Sequence, residues 1–268
     1  MIKTLLFATA TIFTVNAAHA DDTFGVPVTA ELIDGWQQAD GTRVGAIRIT
    51  LADGWKTYWR APGDAGIPPH FTWDGSSNLA GVSVGWPTPE VFVQNGMRSV
   101  GYSNQVTLPL TFAAQKTGQP VDINLDLEIG VCKDICVPKT LSISGTLDSA
   151  ETSPVPTIAA AMAERPYTAR EAGARGVTCA ISPSKDGLNI TATMTLPATG
   201  GREHVVIEAG RPDVWVSEAT STRSGNTLTA QAEMIAGAGG AFALDRSAIR
   251  FTVLGSSHAV DLQGCVPG

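Results

Sequence analysis

From Val121 to Val131 the chain alternates with a period of two. Val121, Ile123, Leu125, Leu127, Ile129 and Val131 are interleaved with Asp122, Asn124, Asp126 and Glu128. Successive side chains of a strand point to opposite faces, so this segment is a strand with one buried and one solvated face. Such a strand belongs in an antiparallel sheet that covers a core on one side. Leu141 to Leu147 repeats the pattern and is its expected partner. Arg43 to Leu51 reads as a further strand, closed by the turn signal Asp53-Gly54. Gln105 to Phe112 reads as another, with Pro109 predicting an edge or a bulge. Ala61 to Pro69 (APGDAGIPP) is a loop. With 28 Gly and 16 Pro punctuating short apolar runs, the chain is expected to be all-β.

The alternating strand runs into Cys132-Lys133-Asp134-Ile135-Cys136. On one extended strand, residues four apart are roughly 13 Å apart, too far for a disulfide. A hairpin with the loop Lys133-Asp134-Ile135 instead sets the two cysteines opposite each other. Facing residues of a hairpin have Cα atoms about 4.5–5.5 Å apart, within disulfide range. A bond across so short a loop adds little stability. At a solvent-facing tip it is open to attack by another thiol. Those are the properties of a working disulfide. A hairpin clip without chemistry and a two-thiolate Cu(I) site are the competing readings, although no Met or His adjoins the pair.

Residues 151–176 change character. Ser153-Pro154-Val155-Pro156 is linker-like, and Thr157 to Arg165 predicts a short helix stopped by Pro166. Seven short strands follow: Val177–Ile181, Leu188–Leu196, His204–Glu208, Val214–Ser217, Thr227–Met234, Ala248–Leu254 and Ala259–Leu262. That density suits a second small β-sandwich over 177–268. Cys179 lies in its first strand and Cys265 just after its last. Pairing them closes a loop of about 87 residues, worth on the order of 4–5 kcal/mol by chain entropy. The expectation is a structural disulfide that pins the C-terminus.

The N-terminus bears on how the cysteines are read. Lys3, an apolar run to Val15 and Ala18-His19-Ala20 predict a signal peptide over 1–20, cleaved after Ala20. The run is shorter than the ~20 apolar residues a spanning helix needs, and no later segment reads as a membrane span. Export permits disulfides to persist. The net charge of −7 argues against a nucleic-acid surface. No Ser/His/Asp arrangement, phosphate loop or paired-carboxylate signature is present, and no cofactor or metal is indicated. His70, His204 and His258 are scattered. Trp36, Trp55, Trp59, Trp73 and Trp86 fall in the first half and read as packing.

Three segments, Gly54 to Pro69 (GWKTYWRAPGDAGIPP), Tyr102 to Leu110 (YSNQVTLPL) and Glu128 to Pro138 (EIGVCKDICVP), resemble the periplasmic N-terminal region of DsbD-type thiol:disulfide interchange proteins, especially the ScsB-like branch linked to copper tolerance. The resemblance covers about Phe24 to Leu147 well and the remainder more loosely. It implies an immunoglobulin-like sandwich with a redox-active cysteine pair over 21–150; with the second sandwich over 177–268, the expected fold is two immunoglobulin-like sandwiches joined by a linker with a short helix. It implies that Cys132 and Cys136 exchange, with Cys136 forming mixed disulfides and Cys132 resolving them. Tyr58 then matches an aromatic beside the pair, and Phe92 falls in a cap segment over it. Lys56 stands where some members carry an aromatic, and Glu90 precedes the cap residue by two positions. The implied partners are a membrane DsbD/CcdA-like electron carrier, on which the chain docks as a separate protein, and periplasmic thioredoxin-like proteins. The alternatives are a non-catalytic binding module with structural disulfides and a copper-tolerance protein that binds Cu(I).

Overall fold

The computed structural model describes residues 25, 28–94, 96–237 and 242–268. The signal peptide expected over 1–20, with its cleavage after Ala20, lies outside the described residues. The first half carries β1 (Val28–Gln37), β2 (Arg43–Leu51), β3 (Lys56–Tyr58), β4 (His70–Thr72), β5 (Leu79–Val84), β6 (Glu90–Gln94), β7 (Met97–Ser103), β8 (Gln105–Ala114), β9 (Val121–Cys132) and β10 (Cys136–Leu147). After the helix α1 (Pro156–Ala163) come β11 (Tyr167–Thr168), β12 (Gly176–Pro183), β13 (Leu188–Thr195), β14 (His204–Glu208) and β15 (Val214–Val216). The last strands are β16 (Thr220–Ser224), β17 (Thr227–Ala236), β18 (Arg250–Leu254), β19 (Ala259–Gln263) and β20 (Val266–Pro267).

The chain is all-β, with immunoglobulin-like sandwiches. The first pairs a sheet ordered β1-β2-β8-β5 with one ordered β10-β9-β3-β7-β6, to which β4 adds on β9. The inward row of β9, from Val121 to Val131, is buried against Ile47, Ile49, Leu108, Phe112 and Trp59. The alternation in sequence thus becomes the floor of the core. The second sandwich pairs β11-β19-β18-β14 with β15-β17-β13-β12-β20, with β16 added on β17. Leu254 and Ala259 of the second half are buried in the first half's apolar cluster, so the two sandwiches share a dry contact.

The structure differs from the expectations at three points. Pro109 lies on a central strand, since β8 stands between β2 and β5. Its carbonyl accepts the Gly85 N–H at 2.7 Å, just beyond the last residue of β5. A strand residue's N–H and C=O point to the same side, so the missing N–H of Pro109 faces the end of β5, where the ladder stops. Residues 151–176 are also more than a linker. Tyr167–Thr168 pairs in parallel with β19, and Ile158 of α1 packs with Trp36, Val44 and Ala46. The helix begins with Pro at its first turn, where no N–H is needed. It ends at Ala163 rather than Arg165, because the residue before Pro166 disfavours helical backbone.

Candidate functional site

The site is built at the end of the β9–β10 hairpin. Its register sets Cys132 directly opposite Cys136. The two are disulfide-bonded, with Cα atoms 4.1 Å apart. The loop Lys133–Ile135 is closed by the Lys133 N–H donating to the Ile135 carbonyl at 3.1 Å. The two cysteines differ in access: Cys132 is 1% exposed, whereas Cys136 is exposed. The open tip expected from the sequence therefore applies to Cys136 alone.

Burial of Cys132 follows from β3, which pairs beside β9 and places Lys56 opposite Cys132. The Thr57 hydroxyl donates to the Gly130 carbonyl at 3.0 Å and locks this register. Tyr58, itself buried, points its hydroxyl at the cystine. It lies 3.0 Å from Cys132 Sγ, 3.3 Å from Cys136 Sγ and 3.3 Å from the Ala65 carbonyl. One phenolic hydrogen serves these three acceptors in turn. Burial raises the Tyr58 pKa above the ordinary phenol value, which keeps that hydrogen in place.

The loop of residues 61–69 wraps this tyrosine. A Cβ on Gly66 would lie 2.9 Å from the Tyr58 ring. On the other side, a Cβ on Gly130 would lie 2.8 Å from Ile67 Cβ and 3.1 Å from Tyr58 Cδ2. Gly130 is therefore the one position where the outward polar row of β9 must be bare, so that loop and tyrosine can close over it.

The expected cap is a hairpin of β6 and β7. Its Phe92 lies against Lys56, whose Nζ is 5.0 Å from the Phe92 ring centroid and 3.1 Å from Gln94 Oε1. Burial lowers the Lys56 pKa from the ordinary lysine value. Gln94 Nε2 donates to the Lys133 carbonyl at 3.2 Å, tying the cap to the tip of the cystine hairpin. Glu90 accepts from the Ser103 hydroxyl at 2.6 Å and braces the cap's base. Val93, Met97 and Ile135, at the two joined tips, are exposed.

Residues 9–147 match the family model of the thiol:disulfide interchange protein DsbD, N-terminal region. The chain belongs to the DsbD N-terminal family. Among solved structures, it is similar to the N-terminal periplasmic domain of ScsB from Proteus mirabilis. The match has 21% identity and a TM-score of 0.63, and it covers 90% of this chain and 94% of that one. That likeness extends the shared fold across both sandwiches. No curated protein matches.

Cys132, Cys136, Tyr58 and Phe92 all lie inside the stretch matched to the DsbD N-terminal family; the second cystine lies outside it. Cys179 and Cys265 are bonded with Cα atoms 5.8 Å apart. Buried Cys179 takes two contacts from Arg246 Nη1, 2.6 Å to its carbonyl and 2.9 Å to Sγ. Among the described residues no group of three His, Cys, Asp or Glu is placed to hold a metal. The histidines have other surroundings: His204 Nδ1 lies 2.9 Å from Arg98 Nη1, and His258 stacks on Tyr167. Trp59 is fully buried, with the Arg60 guanidinium 3.9 Å above its ring.

Sequence reasoning missed Gln94, Ile67 and Gly130. Only Gly130 carried a readable signal, as the one residue of the outward row between Asp122 and Gly130 that is neither charged nor amide-bearing. Gln94 and Ile67 act through contacts with residues 39 and 63 positions away, which no local pattern encodes.

Proposed function

We propose that the chain is a periplasmic thiol–disulfide exchange module whose working pair is Cys132 and Cys136. The observation that carries this reading is the asymmetry of the cystine: one exposed sulfur-bearing residue, one buried partner, and a hydroxyl donor on the buried sulfur. A partner thiolate attacks Cys136 Sγ in line with the S–S bond. A new disulfide forms between the partner and Cys136, and Cys132 leaves as a thiolate. The Tyr58 hydroxyl, 3.0 Å from that sulfur, stabilises the charge as it develops. The partner's second thiolate then attacks its own sulfur in the mixed disulfide and releases Cys136. Two electrons have passed, the partner is oxidised and the pair is reduced. In the onward step, the Cys136 thiolate attacks a client disulfide and Cys132 resolves it.

On this reading the donor is a membrane DsbD/CcdA-like electron carrier, and the clients are periplasmic thioredoxin-like proteins. The exposed Val93, Met97 and Ile135 offer apolar contact to either partner. The Cys179–Cys265 bond holds the second sandwich and does not exchange. Trapping tests the assignment. A Cys132→Ser variant should accumulate mixed disulfides with thioredoxin-like proteins in the periplasm, because Cys136 stays reachable and the resolving thiol is gone. Cys136→Ser should accumulate far less, since Cys132 is buried. If Cys132→Ser traps no such protein, the exchange reading fails.

A further inference from the structure

Of the ties between the second sandwich and the redox site's coverings, four converge on Arg98. This residue is the second of β7, next to the cap's turn and paired with Val93 of β6. Its backbone N–H donates to Glu218 Oε1 at 2.9 Å. Its guanidinium lies 3.5 Å from Glu218 Oε2, donates to the Ala219 carbonyl at 3.2 Å and meets His204 Nδ1 at 2.9 Å. All three partners belong to the second sandwich. Arg98 and Glu218 are both mostly buried, so these contacts are less screened than surface ion pairs.

The same stretch of β7 also carries the loop of residues 61–69. Val100 N–H donates to the Pro62 carbonyl at 2.9 Å, and Trp59 N–H donates to the Val100 carbonyl at 3.0 Å. Gly63, at φ +81°, sits against the Arg98 carbonyl, and a Cβ there would lie only 3.2 Å from it. The Asp64 carboxylate lies beside the Glu218 backbone; burial raises its pKa, and that N–H draws it down. Both coverings of the cystine, the cap hairpin and the loop over Tyr58, are thus anchored to Glu218, with Ala219 and His204 adding to the hold on the cap. On the cystine side the described residues of the cap are held by Gln94, hydrogen-bonded to Lys133 and Lys56, and by Phe92 against Lys56.

We propose that the second sandwich is a clamp on the redox site: Glu218, acting through the positioning residue Arg98, holds the cap and the loop of residues 61–69 closed over Cys132–Cys136 and so limits the access of small thiols. The proposal rests on the exchange reading and gives the second sandwich a regulatory part in it. A docking protein that lifts the cap tip works against the two hydrogen bonds of Gln94 and the Lys56–Phe92 contact, and its own binding energy can offset them. A small thiol has no docking energy with which to lift the cap, so a clamped cap narrows its line of attack on exposed Cys136. The guarded reaction is balanced. One thiolate joins Cys136 and expels Cys132, and a second thiol completes a new disulfide and leaves the protein dithiol.

The experiment is reduction of the intact chain by dithiothreitol, followed by alkylation and mass measurement of the Cys132–Cys136 peptide. Glu218→Ala should speed reduction about tenfold, within the usual range of coupling between sites. Glu218→Gln, which keeps an acceptor for the Arg98 N–H, should speed it less. Asp261→Asn removes an ion pair inside the second sandwich and should leave the rate unchanged. The midpoint potential should be the same in all four proteins, because none of the changed residues touches a sulfur. Equal rates for Glu218→Ala and the parent chain overturn the clamp, as does an equal acceleration by Asp261→Asn. If the rates are equal while Cys132→Ser still traps partners, the clamp falls and the exchange reading stands. If the rates differ while trapping fails, the exchange reading falls on its own.

Discussion

Cys132–Cys136 joins facing residues of one hairpin, four apart in sequence, whereas Cys179–Cys265 joins β12 to the last turn of the chain across 86 positions. Both pairs bury one cysteine and give it a donor. The first receives a neutral phenol from Tyr58, and the second receives the Arg246 guanidinium. They differ in what the bond excludes from the unfolded state. By chain entropy the short loop is worth about 2 kcal/mol and the long one about 4.6 kcal/mol. They also differ in approach. Cys136 sits on an exposed tip flanked by a hairpin and a loop, while Cys265 is partly buried beside the strand that ends the chain. A bond that contributes little to the fold can be broken and remade without unfolding it. Loop length therefore divides the two cystines into one suited to exchange and one suited to holding.

The largest effect that would break this comparison is on stability. Replacing Cys179 and Cys265 by Ser should cost about 4–5 kcal/mol. For a chain of this size that lowers Tm by roughly 10–15 °C in thermal unfolding. The matching change at Cys132 and Cys136 should cost less than half as much. Equal losses would remove the distinction. The next effect concerns the coverings. Gly130→Ala puts a Cβ into Ile67 and Tyr58, and overpacking of this kind costs about 1–3 kcal/mol. Urea unfolding should register that loss, and reduction by dithiothreitol should quicken as the loop is pushed off. A neutral substitution would mean the loop does not cover the site. The smallest effect is on the sulfur itself. Tyr58→Phe removes one hydrogen bond from the Cys132 thiolate, about 1 kcal/mol, and should make the midpoint potential more negative by about 20 mV. An unchanged potential would leave Tyr58 a packing residue.

The parts of this account legible in the sequence are those that depend on local periodicity. The two-residue alternation of β9 and the three-residue spacing between cysteines together require a hairpin, and the structure has it in the expected register. The strands Arg43–Leu51 and His204–Glu208 were readable to the residue, because each is an apolar run bounded by turn residues. Pro109 misled because its cost depends on whether a neighbour needs its N–H, and β5 ends just there. Tyr167–Thr168 was unreadable because two residues carry no period; β19 recruits them. At the site, Tyr58 and the cysteines came from motif and resemblance. The inequality of Cys132 and Cys136 did not, since it arises from β3 lying against β9 on one side only. The hold of Glu218 on Arg98 spans 120 positions and leaves no trace in either local sequence.

The central claim is that Cys132–Cys136 exchanges while Cys179–Cys265 holds, and a redox titration of the intact chain, with each pair followed separately by alkylation and mass measurement, tests it most directly. The account predicts that Cys132–Cys136 titrates above about −300 mV, outside the range of inert structural disulfides, with Cys179–Cys265 still oxidised at that potential. A Cys132–Cys136 midpoint below about −300 mV, or both pairs titrating together, would contradict it.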